Sequence, residues 1–244
     1  ALLVVILVMM DGVLRSEKEE NVLKGSRLFE PFSKEELGNI CKIGGPTAIQ
    51  GMVYCMISMV LTRMVAAFGA EAIATQRVGG QIESVSWNTA DGFAAALNAF
   101  VGQNYGAKKM DRVQKGYRIS FWTVAIWGAL IMLAFIIFPG PIARVFFHEE
   151  KAMEIAISYL IIIGFSEAFM CVELMTIGAL SGLGKTKLCS VISITATSMR
   201  IPLAMVLSRT SLGLDGIWWA LTLTSVAKGI IFYLTFRYQM REKC

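Results

Sequence analysis

Apolar residues occur along this chain in long blocks, separated by short polar stretches rich in glycine, lysine and arginine. Each block is long enough for a helix that crosses a bilayer, which takes about 20 mainly apolar residues. Glycine, proline and asparagine between the blocks are typical of turns. The pattern predicts an all-α, polytopic membrane protein. Its six predicted transmembrane helices lie near residues 43–67, 72–102, 118–138, 153–180, 188–209 and 215–236.

The remaining segments predict how the chain is organised. The apolar run at 1–10 is too short to span a bilayer and lacks the basic region that opens a signal peptide, so we expect the end of a truncated transmembrane helix. Residues 11–42 are polar and charged and are predicted to be a cytoplasmic linker. Within them, SKEEL predicts a helix start with Ser33 as N-cap. A six-helix transmembrane lobe is expected at 43–238, and a cytoplasmic tail at 239–244.

The distribution of positive charge predicts the orientation in the membrane. Of the 23 Lys and Arg residues, sixteen fall in the linker, in alternate connections and at the C-terminus, and only three fall in the other connections. Lysine and arginine concentrate on the cytoplasmic side of membrane proteins. We therefore expect a multi-pass protein of a bacterial cytoplasmic (inner) membrane with its linker and C-terminus inside. The net charge of +5 is then explained by the Lys and Arg residues on the cytoplasmic side, and no nucleic-acid partner is expected.

Motifs of enzymes and metal proteins are weak in this sequence. The segment GLGKT at 182–186 resembles a phosphate-binding loop, but Ala179 stands where that motif needs glycine, and an apolar helix precedes it. We predict a tight turn between helices instead. The five cysteines show no CxxC spacing, and His148 is the single histidine. No enzyme activity, metal or cofactor is expected.

The second predicted helix carries two carboxylates, Glu83 and Asp91, in an otherwise apolar chain. A charge inside the bilayer costs a few kcal/mol, so such residues face a bundle interior or a wet cavity. Eight residues place the two acids about 80° apart around the helix axis. Both are therefore predicted to line one broad face of a cavity, together with Trp87, Asn88 and Asn98.

Four more charged residues lie within later predicted helices. Glu167 and Glu173 point about 120° apart on the fourth helix, so they are not expected to share a site. Arg200 lies on the fifth helix and Lys228 on the sixth. Two interpretations stay open. The acids and bases pair across helices and hold the bundle together, for example Glu83 or Glu173 with Arg200 or Lys228. Alternatively, one carboxylate takes up either a proton or a cationic ligand, which is the basis of antiport.

Prolines and outer arginines add two lesser expectations. Pro46 and Pro202 predict broken or kinked helices, which are common in transporters. Arg63 and Arg77 lie nearer the outer ends of their helices and are expected to extend toward the membrane surface.

Several motifs resemble one transporter family. IGGPTAIQ, FGAEAIATQRVGGQIES with FVGQNYGAKKMDRVQKG, GALSGLGKTK, RIPLA and GLDGIWWALTLT resemble parts of the seventh to twelfth helices of MATE (multidrug and toxic compound extrusion) transporters. The resemblance begins near residue 35, and residues 1–34 fit the end of the sixth helix and the interlobe linker. It implies a twelve-helix antiporter of two lobes, of which this chain is the C-terminal one. The implied partners are small organic cations, the lipid bilayer and the missing N-terminal lobe.

The sequence departs from that family at two positions. The sodium-coupled branch has a Glu in its seventh helix where this chain has Tyr54, and an Asp in its tenth helix where this chain has Met170. Another branch couples protons through an Asp in the first helix, outside this sequence. The coupling ion stays open, with H+ favoured over Na+. Glu83, Asp91 and Glu173 are the preferred acids on the burial argument, and Tyr54 joins the cavity-lining candidates.

Two other functions remain as alternatives. A lipid-linked oligosaccharide flippase of a related family would be expected to line its cavity with more cationic residues, to hold pyrophosphate. The predicted helices instead contain four acids and four bases. A half-length, non-transporting membrane assembly partner is the other alternative.

Overall fold

The computed structural model describes residues 33–241. The predicted helix end at 1–10, most of the linker and the last three residues of the tail lie outside the described residues. The described part is helical, without strands, and Ile43–Cys244 form one compact unit, with Ala1–Lys42 a separate one. The helices are α1 (Lys34–Ala66), α2 (Ala70–Gly106), α3 (Met110–Ile137), α4 (Pro139–Phe146), α5 (Glu150–Gly164), α6 (Glu167–Gly182), α7 (Thr186–Ser198), α8 (Arg200–Leu207) and α9 (Leu214–Arg241).

All six predicted transmembrane helices coincide with helical segments. Within the described residues, four segments are long and apolar enough to cross a bilayer: Gly44–Ala66, Met110–Ile137, Thr186–Leu207 and Leu214–Arg241. A fifth span consists of α5 and α6, which meet at a bend of 51°. The remaining predicted span, 72–102, corresponds to α2. This helix has 37 residues but is less apolar than the other five, because polar side chains interrupt its surface. The chain is thus an all-α, multi-pass membrane protein.

The first described helix begins within the predicted linker and continues into the first span. Its start at Lys34 follows the predicted N-cap, since the backbone N–H of Glu35 donates to the Ser33 hydroxyl at 3.3 Å. Helix α1 runs through Pro46 without a break, so of the broken or kinked helix expected there the break is wrong and the kink stays a prediction. Transmembrane helices tolerate proline where neighbouring groups compensate for the lost backbone hydrogen bond.

Two predicted helices are each divided in two. The predicted helix 153–180 is α5 and α6, and the Ser166 N–H and hydroxyl both donate to the Ile163 carbonyl at 2.9 Å at the break. The prediction took this block as one apolar helix and missed the break, although Gly164 and Ser166 stand at it. The break expected near Pro202 is present, because α7 ends at Ser198 and α8 begins at Arg200. Pro202 lies in the first turn of α8, where its missing N–H costs no hydrogen bond.

The connection predicted after the third span contains a short helix of its own, α4. It starts at Pro139, and proline is well suited to the first position of a helix because its φ angle is already helical.

Helix α6 lies at the centre of the described bundle and contacts α2, α3 and α9 through glycines. A Cβ at Gly182 would lie 2.6 Å from a backbone oxygen of α2, and one at Gly229 on α9 would lie 2.6 Å from a backbone oxygen of α6. At Gly128 on α3 a Cβ would lie 2.7 Å from an α6 Cα. Small residues let membrane helices approach this closely. The side chains on α6 are therefore held at short range from three neighbouring helices.

The GLGKT segment forms the tight turn predicted between α6 and α7. Gly184 adopts a left-handed φ of 75°, and the Lys185 N–H donates to a carbonyl of the last turn of α6 at 3.0 Å. The same closure ends α2, where Lys108 takes a φ of 59° and the Lys109 N–H donates at 2.8 Å. Both turns have the hydrogen bonds of a Schellman helix end. A helix, not a strand, precedes GLGKT, in contrast to a phosphate-binding loop.

Candidate functional site

A polar cavity of about 740 Å³ opens within the unit that begins at Ile43. Its walls come from α1, α2, α5, α6, α7, α8 and α9. The volume suits a drug-sized organic ligand, because such pockets typically measure about 300–1,000 Å³. Seven of the ten residues singled out from the sequence line it: Tyr54, Glu83, Trp87, Asp91, Glu173, Arg200 and Lys228.

One face of α2 forms a continuous wall of this cavity. Gln76, Gly80, Glu83, Trp87 and Asp91 line it at spacings of four, three, four and four residues, which place them on one side of a helix. An adjoining side of α2 carries small buried residues that pack against α6. The two carboxylates therefore face a polar space and avoid the lipid.

The opposite wall contains a buried ion pair between α6 and α9. Lys228 Nζ donates to Glu173 Oε1 at 2.7 Å, and the two side chains are 8% and 6% exposed. Beside this pair, the buried Arg200 donates through Nε to Thr224 Oγ1 at 3.1 Å and through a terminal nitrogen to Ser225 Oγ at 2.9 Å. Pairing across helices, one of the two open interpretations, thus describes Glu173 and Lys228.

Glu83 is held by a tyrosine from α5. The Tyr159 hydroxyl donates to Glu83 Oε1, and the Tyr159 ring packs edge-on against Trp218 with centroids 5.0 Å apart. Gly79, one turn before Glu83, leaves the space that this ring occupies. Sequence reasoning missed Tyr159, because an uncharged aromatic residue in an apolar run carries no visible signal of a polar role.

Three of the ten candidates do not line the cavity. Asn88 is exposed and lies one position beyond the wall formed by α2, while Asn98 lies past the end of that wall, where α2 meets Gly182. Glu167 is fully buried behind the cavity, and neither of its carboxylate oxygens has a hydrogen-bond partner among residues 33–241. The structure thus separates Glu167 from Glu173, which lines the cavity.

Other lining residues were not anticipated. Arg77 lines the cavity and is exposed; its extension toward the membrane surface stays a prediction. Ser193 and Thr197 form a polar edge of α7, and their spacing of four residues was the only available signal. In the part of the chain that the structure describes, no three His, Cys, Asp or Glu side chains are grouped to hold a metal ion.

Comparison with known proteins identifies the family. The MatE family model matches residues 46–206, more than half of the chain. The probable multidrug resistance protein NorM of Thermotoga maritima is 27% identical over 234 residues, which cover 92% of this chain and 49% of that protein. The chain therefore spans about half the length of the curated relatives it matches.

Two solved structures share the fold. The Vibrio cholerae MATE transporter VcmN in its bent form has a TM-score of 0.80 and 20% identity, covering 89% of this chain and 50% of that one. A MOP superfamily transporter from Pyrococcus furiosus has a TM-score of 0.85 and 20% identity, covering 98% and 54%. These likenesses show the fold, and the family model shows the family: the chain belongs to the MatE family.

Proposed function

We propose that this chain forms the C-terminal lobe of a secondary active antiporter that exports small organic cations in exchange for H+. The observation that carries the proposal is the α2 wall, where two carboxylates flank an indole ring on one face of a drug-sized cavity. Family membership and the multidrug resistance name of the Thermotoga maritima relative support the same direction.

The α2 wall has the chemistry to hold an amphiphilic cation. Trp87 offers an aromatic face to a cation or an apolar ring, and it lies one turn from both Glu83 and Asp91. In the described residues the Asp91 side chain forms no ion pair or hydrogen bond that would compete with a ligand. A carboxylate at the edge of a cavity attracts cationic ligands and orients them.

The choice of H+ over Na+ rests on Tyr54 and Met170, which stand where the sodium-coupled branch of the resembled family has carboxylates. Tyr54 and Met170 both line the cavity, and neither supplies a carboxylate there. Sodium prefers several oxygen ligands, whereas a proton needs a single acid. The cavity acids that remain, Glu83, Asp91 and Glu173, are sufficient for proton exchange.

The proposal also includes a partner and an orientation. Because the matched relatives are about twice as long, the cavity is expected to be closed by a second six-helix lobe, the N-terminal one. The concentration of Lys and Arg in the linker and at the C-terminus supports a cytoplasmic location for both, in a bacterial inner membrane.

A flippase for lipid-linked oligosaccharides is less well supported. The cavity lining balances three acids against three bases, the latter being Arg77, Arg200 and Lys228. Of these bases, Lys228 is already paired with Glu173. Binding a pyrophosphate would need an excess of cationic side chains.

The test uses the complete gene product that carries this sequence, reconstituted in proteoliposomes. Efflux of a fluorescent monocationic dye is followed under an imposed pH gradient and then under an imposed Na+ gradient. We expect the pH gradient to drive efflux. Asp91→Asn should weaken dye binding about fivefold, because an exposed charge pair contributes roughly 1 kcal/mol.

Asp111→Asn is the matched control, because Asp111 is an exposed carboxylate in the first turn of α3 and lies outside the cavity. It should leave dye binding unchanged. Dye efflux that neither gradient drives would refute the antiporter and favour a flippase or an assembly role.

A further inference from the structure

Glu167 is a carboxyl group for which the fold provides no partner. Its side chain is 0% exposed, and both oxygens are buried without a hydrogen bond among the described residues. It is the first residue of α6, just after the 51° bend, yet neither oxygen caps the backbone N–H groups of that first turn. A structural role as a helix cap is therefore not what holds Glu167 in this position.

An ionised carboxylate in this position would be very unfavourable. Transfer of an isolated charge from water into a low-dielectric interior costs many kcal/mol unless a counter-charge or hydrogen bonds compensate. The buried cation on the nearest part of α9, Lys228, is already bound to Glu173 at 2.7 Å. Glu167 thus needs a proton or a cation of its own.

The groups around Glu167 decide whether it takes up a proton or a metal cation. Ser86 on α2 contacts Cys171 on α6, and further along Gly182 of α6 contacts Asn98 of α2, so the two helices run side by side in the same direction. Glu83 and Glu167 each lie about one turn before the first of these contacts, so they occupy facing turns.

Glu83 also accepts from the Tyr159 hydroxyl on α5 and lies within electrostatic range of Arg200 on α8. The Ser86 hydroxyl lies beside Glu167, but its hydrogen-bond partner is Cys171 Sγ on α6, at 3.2 Å. Within the membrane, residues 119–137 of α3 contribute no ionisable group.

This environment suits a proton better than a metal cation. Sodium or a larger ion needs several oxygen ligands arranged around one point. Around Glu167 the oxygens of Tyr159 and Ser86 already have other partners, Glu83 and Cys171. A proton, in contrast, neutralises one carboxyl and lets two neighbouring acids coexist, as in other buried carboxyl pairs.

The geometry points to a proton-sharing pair of carboxyl groups, in which Glu167 holds the coupling proton and Glu83 connects it to the cavity. The inference rests on the proposed antiport, because it names the residues that carry the exchanged ion. One proton leaves cavity water, is accepted by the Glu83 carboxylate and passes to Glu167. It returns by the same route, so that charge and protons balance. Glu83 lines the cavity and Glu167 does not. Glu83 therefore exchanges the proton with cavity water, and Glu167 holds it away from that water.

Infrared difference spectroscopy tests the storage role without any transport. The complete gene product at neutral pH should show the carbonyl stretch of a protonated carboxyl, shifted by deuterium exchange. Glu167→Gln should remove that band, whereas Glu154→Gln, which alters an exposed carboxyl on α5, should keep it. A wild-type protein without the band, or a Glu167→Gln protein that retains it, would overturn the pair.

Proteoliposomes test the coupling role. Glu167→Gln should bind the cationic dye with wild-type affinity but lose pH-driven efflux by tenfold or more, while dye exchange at equal pH persists. If Glu167→Gln unfolds, Glu83→Gln serves as the second variant and should slow pH-driven efflux while the infrared band of Glu167 remains. Undiminished pH-driven efflux in both variants would refute the coupling role. A wild type that no pH gradient drives would instead refute the proposed function, and the infrared result would still decide where the proton is held.

Discussion

Helix α6 carries two buried glutamates six residues apart, and their surroundings differ. Glu173 faces the cavity and accepts a hydrogen bond from Lys228 of α9, with both side chains less than a tenth exposed. Glu167 does not line the cavity, and its oxygens have no partner among residues 33–241. Burial is nearly the same at the two sites, so burial alone does not decide what a membrane carboxyl does.

The difference lies in what the neighbouring helix supplies. Glu173 has a cation held at short range by the close packing of α9 on α6, which makes the pair part of the bundle's structure. Glu167 lies on the turn of α6 that faces the Glu83 turn of α2, and it forms no ion pair among the described residues. One site therefore holds two helices together, and the other is available to exchange a proton.

The largest expected effect comes from removing the cation of the paired site. Lys228→Met leaves the Glu173 carboxylate buried without its partner, and we expect the free energy of unfolding to fall by about 3–5 kcal/mol. Unfolding by heat or denaturant in detergent solution measures it. The double variant Lys228→Met with Glu173→Leu should recover most of the loss, because it removes both charges.

Lys151 provides a matched control for this substitution. It pairs with Glu71 at 3.4 Å, but its side chain is 74% exposed, and such surface pairs contribute about 1 kcal/mol or less. Lys151→Met should therefore change stability by no more than that. Equal losses in Lys228→Met and Lys151→Met would show that the buried pair is not a structural element, and the contrast with Glu167 would be lost.

A smaller effect is expected from separating the two helices of the pair. A Cβ at Gly229 would lie 2.6 Å from the Phe169 backbone oxygen, so Gly229→Ala forces α9 away from α6 beside Lys228. Overpacking of this kind costs about 1–3 kcal/mol. Gly92→Ala on α2 is the control, because nothing lies within 4 Å of its Cβ position and alanine is the better helix former.

Gly92→Ala should stabilise the protein slightly, by about 0.5–1 kcal/mol. If Gly229→Ala is equally benign, α9 is free to shift, and the distance between Lys228 and Glu173 is not fixed by backbone contact. The same unfolding measurements in detergent solution separate these outcomes.

Sequence reasoning reached part of this site and missed part for physical reasons. Helical spacing within α2 was enough to predict that Glu83 and Asp91 face one cavity, because the angle between residues of one helix is fixed. The partner of Glu173 could not be chosen between Arg200 and Lys228, since a sequence does not say which helices are adjacent.

The bend before α6 shows a second limit. Gly164 and Ser166 stand at the break and are residue types that favour helix ends, but the long apolar block around them led to the prediction of one continuous helix. Tyr159 likewise lies in an apolar run, and its role appears only when α5 is packed against α2. Contacts between distant segments are what the pattern of one chain leaves undetermined.

The smallest expected effect tests whether Glu167 truly lacks a partner. Ser86→Ala removes the hydroxyl beside it, and because that hydroxyl is bonded to Cys171, we expect a loss of only about 0.5–1.5 kcal/mol. The infrared band of the protonated carboxyl should persist, since a more apolar neighbour favours the neutral acid. Ser84→Ala is the control on the same helix, because Ser84 bonds its own backbone, at Gln81. A loss in Ser86→Ala as large as in Lys228→Met would mean that Ser86 supports a charged Glu167. The two glutamates of α6 would then both be structural, and the proton would have to be held by a cavity acid such as Asp91.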